Sequence, residues 1–287
     1  MIAWSAILVR LSHASPSTAA VFRCLYAVPV LGVLAWVERR RYGPRSRRDL
    51  RLSVWAGAFF AADLICWHHS IANVGAGLAT VLGNLQVVLV GFVAWLTLGE
   101  RPDPRHVGAI PVVLVGVVLI SGVLGHRAYG HDPALGVVYG IATGLTYAGF
   151  ILVLRQGGRD LRRIAAPLFE ATAFAVLFAA VAGIVIGDVS FAPSWPEHGW
   201  LLLLALTSQV VGWLLISMSL PRLPAALTSV LLTIQPVGSV VLGVALLGES
   251  PSVLQLLGVA FIFSGVVLAT TRRTAPVAVP STGRAES

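Results

Sequence analysis

Few ionisable side chains sit inside the apolar runs of this 287-residue chain, so those that do are the first candidates for chemistry. Asp63 lies near the middle of an apolar run at 53–72, and helical spacing puts Phe59, Asp63, Trp67 and Ser70 on one stripe. A carboxylate flanked by aromatic rings can hold a cationic group through charge and ring faces. It can also take up a proton where burial favours the neutral form, or serve as a structural acid bonded to a neighbouring helix. The second half of the chain echoes the pattern, with Asp63-x3-Trp67 answered by Gln209-x3-Trp213. A two-fold cavity would set Asp63 across from Gln209, with Trp67 and Trp213 as walls; plain packing is the alternative for both tryptophans. Arg23 and Glu170 form another matched pair, in Phe22-Arg23 and Phe169-Glu170. Arg23 either snorkels to the surface or attracts an anionic group; Glu170 either gates or carries a proton; structural roles stay open for both. Coupling or gating is thus expected at Asp63, Glu170 and Arg23. Asn84, Gln86, Thr233 and Gln235 either bond substrate or bond between helices. Pro236 would free a backbone carbonyl beside Gln235. The expected substrate-binding set is therefore Asp63, Trp67, Asn84, Gln86, Gln209, Trp213, Thr233 and Gln235.

Other polar residues point to structure. Glu100 and Glu249 stand at helix C-termini, where the macrodipole disfavours a carboxylate, so each needs a partner such as an arginine or a backbone amide. His68 and His69 are neighbours about 100° apart on a helix, which is no metal site; His68 either helps a proton step or, as expected, lies at the interface. Gly136, Gly140 and Gly144 make a small-residue face for helix packing.

The elements that must position these residues are membrane helices. Hydrophobic residues are 57% of the chain and charged ones 11%, with mean hydropathy +0.86. A soluble domain averages about 25% charged and could not cover so apolar a surface. Apolar runs of about 20 residues, enough to cross a ~30 Å hydrocarbon core, fall near 16–37, 53–72, 77–98, 106–124, 135–155, 164–187, 199–219, 224–247 and 252–271. A shorter run, 1–12, precedes them. Lipid permits only helices or closed barrels, and continuous runs of this length are helices. Aligning Ala6–Leu11 with Ile151–Gln156 implies that the chain begins inside its first helix, a truncated one. Cys24 and Cys66 lie inside apolar runs as small packing residues. With no zinc-ligand spacing, P-loop or nucleophile elbow, neither an enzyme nor a cofactor is expected.

All 20 basic residues are arginines, and the formal charge of +8 belongs to topology, not to nucleic acid. Arg39, Arg40, Arg41, Arg45, Arg47, Arg48 and Arg51, then Arg101 and Arg105, then Arg155, Arg159, Arg162 and Arg163, then Arg222, and finally Arg272, Arg273 and Arg284 fall on one side of a ten-helix arrangement. Opposite them lie only Arg10 and Arg127. The positive-inside rule makes the rich side cytoplasmic, with both termini there and a disordered tail at 274–287.

A shift of 149 residues brings the chain onto itself. Ser70, Ala76, Leu78, Val81, Leu82, Gln86, Val88, Leu98, Gly99, Glu100 and Pro102 recur as Ser219, Ala225, Leu227, Val230, Leu231, Gln235, Val237, Leu247, Gly248, Glu249 and Pro251. The motif GVVL at 116–119 recurs at 265–268. The expected fold is therefore all-α and integral to the membrane: about ten transmembrane helices as two five-helix repeats, 1–125 and 134–273. An odd number of spans per repeat inverts one against the other. Inverted repeats are a transporter architecture, with the site near the midplane and access alternating as the halves rock.

The sequence resembles the EamA-type members of the drug/metabolite transporter superfamily. The likeness rests on Arg10-Leu11-Ser12, Ser15-Pro16 and Phe22-Arg23. It continues in Leu98-Gly99-Glu100 with Gly108 and Gly116, and in Leu247-Gly248-Glu249 with Gly258 and Gly265. The resemblance implies a cavity lined by the third, fourth, eighth and ninth helices. It also implies movement of small metabolites, commonly amino acids, across a bacterial inner membrane. Efflux of amino acids is the leading expectation, with protons a candidate coupling ion and the bilayer the standing partner. Drugs, organic cations or sugar derivatives are the alternative cargo, and a non-transporting scaffold or inactive remnant the alternative class.

Overall fold

The computed structural model describes residues 2–89, 104–125, 128–158, 160–219 and 225–270, with the side chains of 2, 105, 106, 219 and 225–234 left aside. The described residues form helices and no strand. In chain order they are α1 (Ser5–Ser12), α2 (Pro16–Tyr42), α3 (Arg47–Val74), α4 (Ala76–Gly83), α5 (Pro104–Ile120), α6 (Pro133–Gly157) and α7 (Ala165–Ile186). Then come α8 in three consecutive segments (Glu197–Leu204, Ala205–Gly212 and Trp213–Ser219), α9 (Ala225–Leu247) and α10 (Val253–Thr270). Among the described residues, 6 helices are long and apolar enough to cross a membrane: α2, α3, α6, α7, α8 and α10. The apolar stretches 76–89, 107–120 and 235–247 are shorter.

Local sequence sets the helix ends. Ser15 precedes Pro16 at the first helical position of α2, where proline's missing N–H costs nothing. The Ser46 hydroxyl accepts from Asp49 N at the start of α3, and the Asp132 carboxylate accepts from Leu135 N at the start of α6.

Three further helix starts are capped from a distant part of the chain. Glu38, near the end of α2, accepts from the backbone N–H groups of Ile164, Ala165 and Ala166 at 2.9, 2.9 and 2.8 Å, closing the start of α7. Asp188, just past the end of α7, accepts from Ser17 N at 3.2 Å at the start of α2. Glu249, just past α9, accepts from Ala76 N and Gly77 N at the start of α4. That is the backbone-amide partner its position called for. Each carboxylate meets the positive end of a helix dipole and satisfies amides that lipid would leave bare.

Helix pairing follows the repeat. The α3–α6 and α3–α7 contacts are mirrored by α8–α1 and α8–α2, while α2–α7, α4–α9 and α5–α10 pair across the two halves. The α5–α10 seam shows the register in detail. A Cβ on Gly116 would lie 2.7 Å from the Gly258 carbonyl oxygen and 2.7 Å from Ile262. One on Gly265 would lie 3.3 Å from the Ala109 carbonyl oxygen and 2.4 Å from Val113. Gly116 and Gly265, Ala109 and Gly258, and Val113 and Ile262 are each separated by 149 residues. Bare backbones at these points let the two helices touch, which is how helices associate where lipid removes the hydrophobic driving force. The Gly136, Gly140 and Gly144 face of α6 packs on Val74, Leu82 and Leu89 in the same way.

Candidate substrate-binding site

α3 crosses the centre of the bundle and carries Asp63 and Trp67, both buried, on the side away from lipid. The stripe expected from spacing divides here. Phe59 packs where a Cβ on Gly149 would stand, and Ser70 donates to the Gly136 carbonyl at 2.9 Å, so both serve the α3–α6 contact. Phe60 takes the central place instead. It stacks on Phe150 at 4.4 Å and meets Trp213 edge-on at 6.1 Å.

Arg23 does not snorkel outward. It is 5% exposed, and its guanidinium sits 5.6 Å from the centre of the Trp67 ring. Its Nε donates to Gln209 Oε1 at 3.2 Å, while one terminal nitrogen, Nη1, is buried with no partner. Arg23 and Asp63 lie within electrostatic reach, yet no ion pair of 4.0 Å or less joins them. The physical reason for the inward turn is α2's environment: Arg23 is surrounded by α3 and α8, with an amide, a ring face and a carboxylate to receive it.

Gln209 is 0% exposed and uses both ends of its amide, accepting from Arg23 and donating to Thr172 Oγ1 at 3.3 Å. It lies in the middle segment of α8, Ala205–Gly212, which winds as a π-helix. A π segment takes in extra residues relative to an α-helix and is frequent at functional sites. Trp213, at the end of that segment, faces Phe150 at 5.2 Å and Tyr147 at 6.0 Å.

α4 is irregular at the same level. It turns at Asn84 and Leu85, with short-range bonds from Asn84 N to Val81 O and from Leu85 N to Leu82 O, before Gln86 resumes it. Gln86 is buried beside Tyr147 and leaves its Oε1 without a partner. Asn84 does not join the cluster through its amide nitrogen, which donates to its own helix at the Thr80 carbonyl, 2.8 Å away. Gln235 is half-buried on α9 beside Pro236, and the Thr233 side chain lies outside the described ones. Glu100 also lies outside the described residues.

Glu170 is remote from Arg23. It pairs with Arg45 and accepts from Ser53 Oγ at 2.8 Å, while Arg45 also donates to the Gly157 carbonyl at 2.6 Å. This ties α2's following loop to α3, α6 and α7 on the arginine-rich face. His68 is buried, not interfacial, and its Nδ1 meets the Pro16 carbonyl at 3.0 Å. Tyr147, Phe60, Phe150 and Thr172 were invisible to hydropathy reasoning, since an aromatic or a threonine in an apolar span is ordinary. Only their convergence on Trp213 and Gln209 marks them.

The arrangement is a buried site with one guanidinium, one carboxyl group and aromatic walls. Arg23 keeps an unused donor, and Gln86 keeps an unused acceptor.

Family comparisons agree with this architecture. The EamA-like transporter family model matches twice, over residues 1–122 and 134–271. The chain belongs to the EamA-like transporter family. An uncharacterized transporter of Bacillus subtilis, YxxF, is 25% identical over 275 residues, covering 93% of this chain and 86% of its own. An uncharacterized transporter of Synechocystis is 24% identical over 288 residues, covering 92% of this chain and 81% of its own. A solved crystal structure superposes on 94% of this chain and 95% of its own with a TM-score of 0.56 at 19% identity, a likeness of fold alone. This EamA-like chain is thus a multi-pass membrane transporter, all-helical and built as two repeats.

Proposed function

We propose that this EamA-like transporter moves small zwitterionic metabolites, amino acids and their derivatives foremost, out across a bacterial inner membrane by alternating access. The observation that carries the reading is the buried juxtaposition of Arg23 and Asp63 without a closed ion pair. A zwitterion supplies what each lacks. Its carboxylate meets the free Arg23 nitrogen, and its ammonium meets Asp63 and the Trp67 face. Burying an uncompensated charge is costly, so a ligand that completes both charges at once is favoured over one that completes neither. Gln209 holds Arg23 in place, and Gln86 and Tyr147 offer polar contacts to the side chain of the solute.

A cationic drug is the second reading, favoured by the ring cluster of Phe60, Tyr147, Phe150 and Trp213. The Arg23 charge at the same spot opposes it. The two repeats, 1–125 and 134–273, interleave through α2–α7, α3–α6 and α3–α7, so the bodies that rock each draw helices from both, with the arginine-rich face and the 274–287 tail in the cytoplasm. Arg45–Glu170 is the tie that must open on that face, and Asp63 is the group to carry a coupling proton.

The test is exchange of labelled amino acids in proteoliposomes, with and without a pH gradient. Saturable exchange that Asp63→Asn lowers by roughly 100-fold, the ~2.7 kcal/mol expected of a lost charged contact, supports the reading. Unchanged transport and pH dependence in Asp63→Asn sinks it, and a resistance phenotype without amino-acid exchange moves the cargo to organic cations.

A further inference from the structure

A cavity of about 610 Å³ opens on the face opposite the arginine-rich one, lined by Arg10, Ala72, Gly75, Ala128, Tyr129, Gly130, His131 and Ser250. Its polar side chains, Arg10, Tyr129, His131 and Ser250, can all donate, and Arg10 can only donate. Arg10 reaches it from the last turn of α1 and makes no ion pair among the described residues. Burial and the nearby Glu249 carboxylate raise the Tyr129 phenol above its ordinary pKa, so it remains an O–H donor at neutral pH. The acid beneath the cavity is spent: Glu249 is 2% exposed, and its two oxygens are taken by the Ala76 and Gly77 amides. A donor-lined space of this kind suits an anionic group.

The internal repeat adds an independent observation. Arg10 in AILVRL matches Arg155 in ILVLRQ, at the end of α6. The two arginines therefore stand at opposite mouths of the transporter. On the arginine-rich face one more arginine is unremarked. On the other face, where the positive-inside rule leaves Arg10 and Arg127 alone, an exposed arginine calls for another cause.

We propose that this cavity is a docking subsite for the carboxylate of the transported solute, with Arg10 as its binding group. The inference rests on the zwitterion reading above and extends it. The carboxylate is met first by Arg10 at the mouth and then by Arg23 at the centre. Because Arg10 is exposed, its contribution is modest and screened by salt.

The experiment uses oriented proteoliposomes of the full chain and the labelled neutral amino acid that gives the largest wild-type exchange. Arg10→Gln raises KM about five-fold, the size of a good exposed ion pair, when solute is presented at the Arg10 face, and leaves KM at the other face unchanged. Raising ionic strength weakens wild-type KM toward the variant's, and the variant loses that salt dependence. Arg10→Lys recovers most of the affinity, and Arg39→Gln, an exposed arginine on the other face, changes nothing at the Arg10 face. Equal KM for wild type and Arg10→Gln, or an equal rise at both faces, overturns the subsite while leaving the functional reading intact. Absence of saturable exchange by the wild type overturns both.

Discussion

The two halves of this transporter share a scaffold and differ in charge. α3 and α8 occupy matched places, each packed on the partners that the repeat dictates. Yet α3 is a regular helix that presents Asp63, whereas the middle of α8 winds as a π-helix around an amide, Gln209, that is hydrogen-bonded at both ends. The same asymmetry separates Arg23 from Glu170. Arg23 turns into the centre, while Glu170 is held at the arginine-rich face by Arg45 and Ser53. A two-fold scaffold thus builds a one-sided site: the first half supplies both charges, and the second supplies the amide that steadies one of them. Rocking needs the symmetry of the backbone; recognition needs the asymmetry of the side chains.

The comparison breaks most visibly at Arg23. Arg23→Gln removes the only described guanidinium in the centre and leaves Asp63 buried without a counter-charge. Amino-acid exchange is expected to fall by about 100-fold, and the thermal midpoint in detergent to fall by less, since the lost hydrogen bond from the Arg23 guanidinium to Gln209 is worth roughly 1.5–3 kcal/mol. The double variant Arg23→Gln/Asp63→Asn sharpens the point. It should recover stability relative to either single change and still transport nothing, the coupling expected of two groups that share one field. A double variant no more stable than its parents would mean that the two charges do not sense each other.

Next in size is a change that makes the halves alike. Gln209→Glu places a second carboxylate 3.2 Å from Arg23, where the amide oxygen now accepts. Arg23 then closes an internal ion pair and is withdrawn from solute. Exchange should drop about ten-fold through KM, roughly the 1–2 kcal/mol of a charged hydrogen bond over a neutral one, with the fold intact. A Gln209→Glu protein that transports normally would show that solute does not compete for the guanidinium.

Much of this was legible in the sequence. Unbroken apolar runs of this length are helices in lipid, and the 149-residue shift matched Gly116 with Gly265, which the structure then sets in the α5–α10 seam. Asp63, Trp67, Gln86, Gln209 and Trp213 stood out as polar or aromatic residues at repeated spacing, and the structure gathers them. The direction of Arg23 was not legible, because a residue seven positions into a helix can reach either the surface or the interior, and only its neighbours decide. Phe59 and Phe60 were indistinguishable in kind; the helix rotation that selects Phe60 comes from the α3–α6 contact. The caps by Glu38 and Asp188 were missed for another reason. A carboxylate at the end of one helix gives no sign of which distant helix start it will meet.

Those caps supply the smallest expected effect and the finest comparison, between two carboxylates doing one task at different depths. Glu249 is 2% exposed and serves two amides, whereas the Asp188 side chain is 22% exposed and serves one. Water can replace Asp188 at Ser17 but cannot reach Ala76 and Gly77. Asp188→Ala should therefore cost about 0.5–1 kcal/mol, an ordinary cap, and Glu249→Ala should cost more, at roughly 1–3 kcal/mol for each amide left bare. Thermal unfolding of the two variants in the same detergent reads the difference directly. Equal losses would mean that the start of α4 finds water or another acceptor once Glu249 is gone, and that depth does not set the worth of a cap in this bundle.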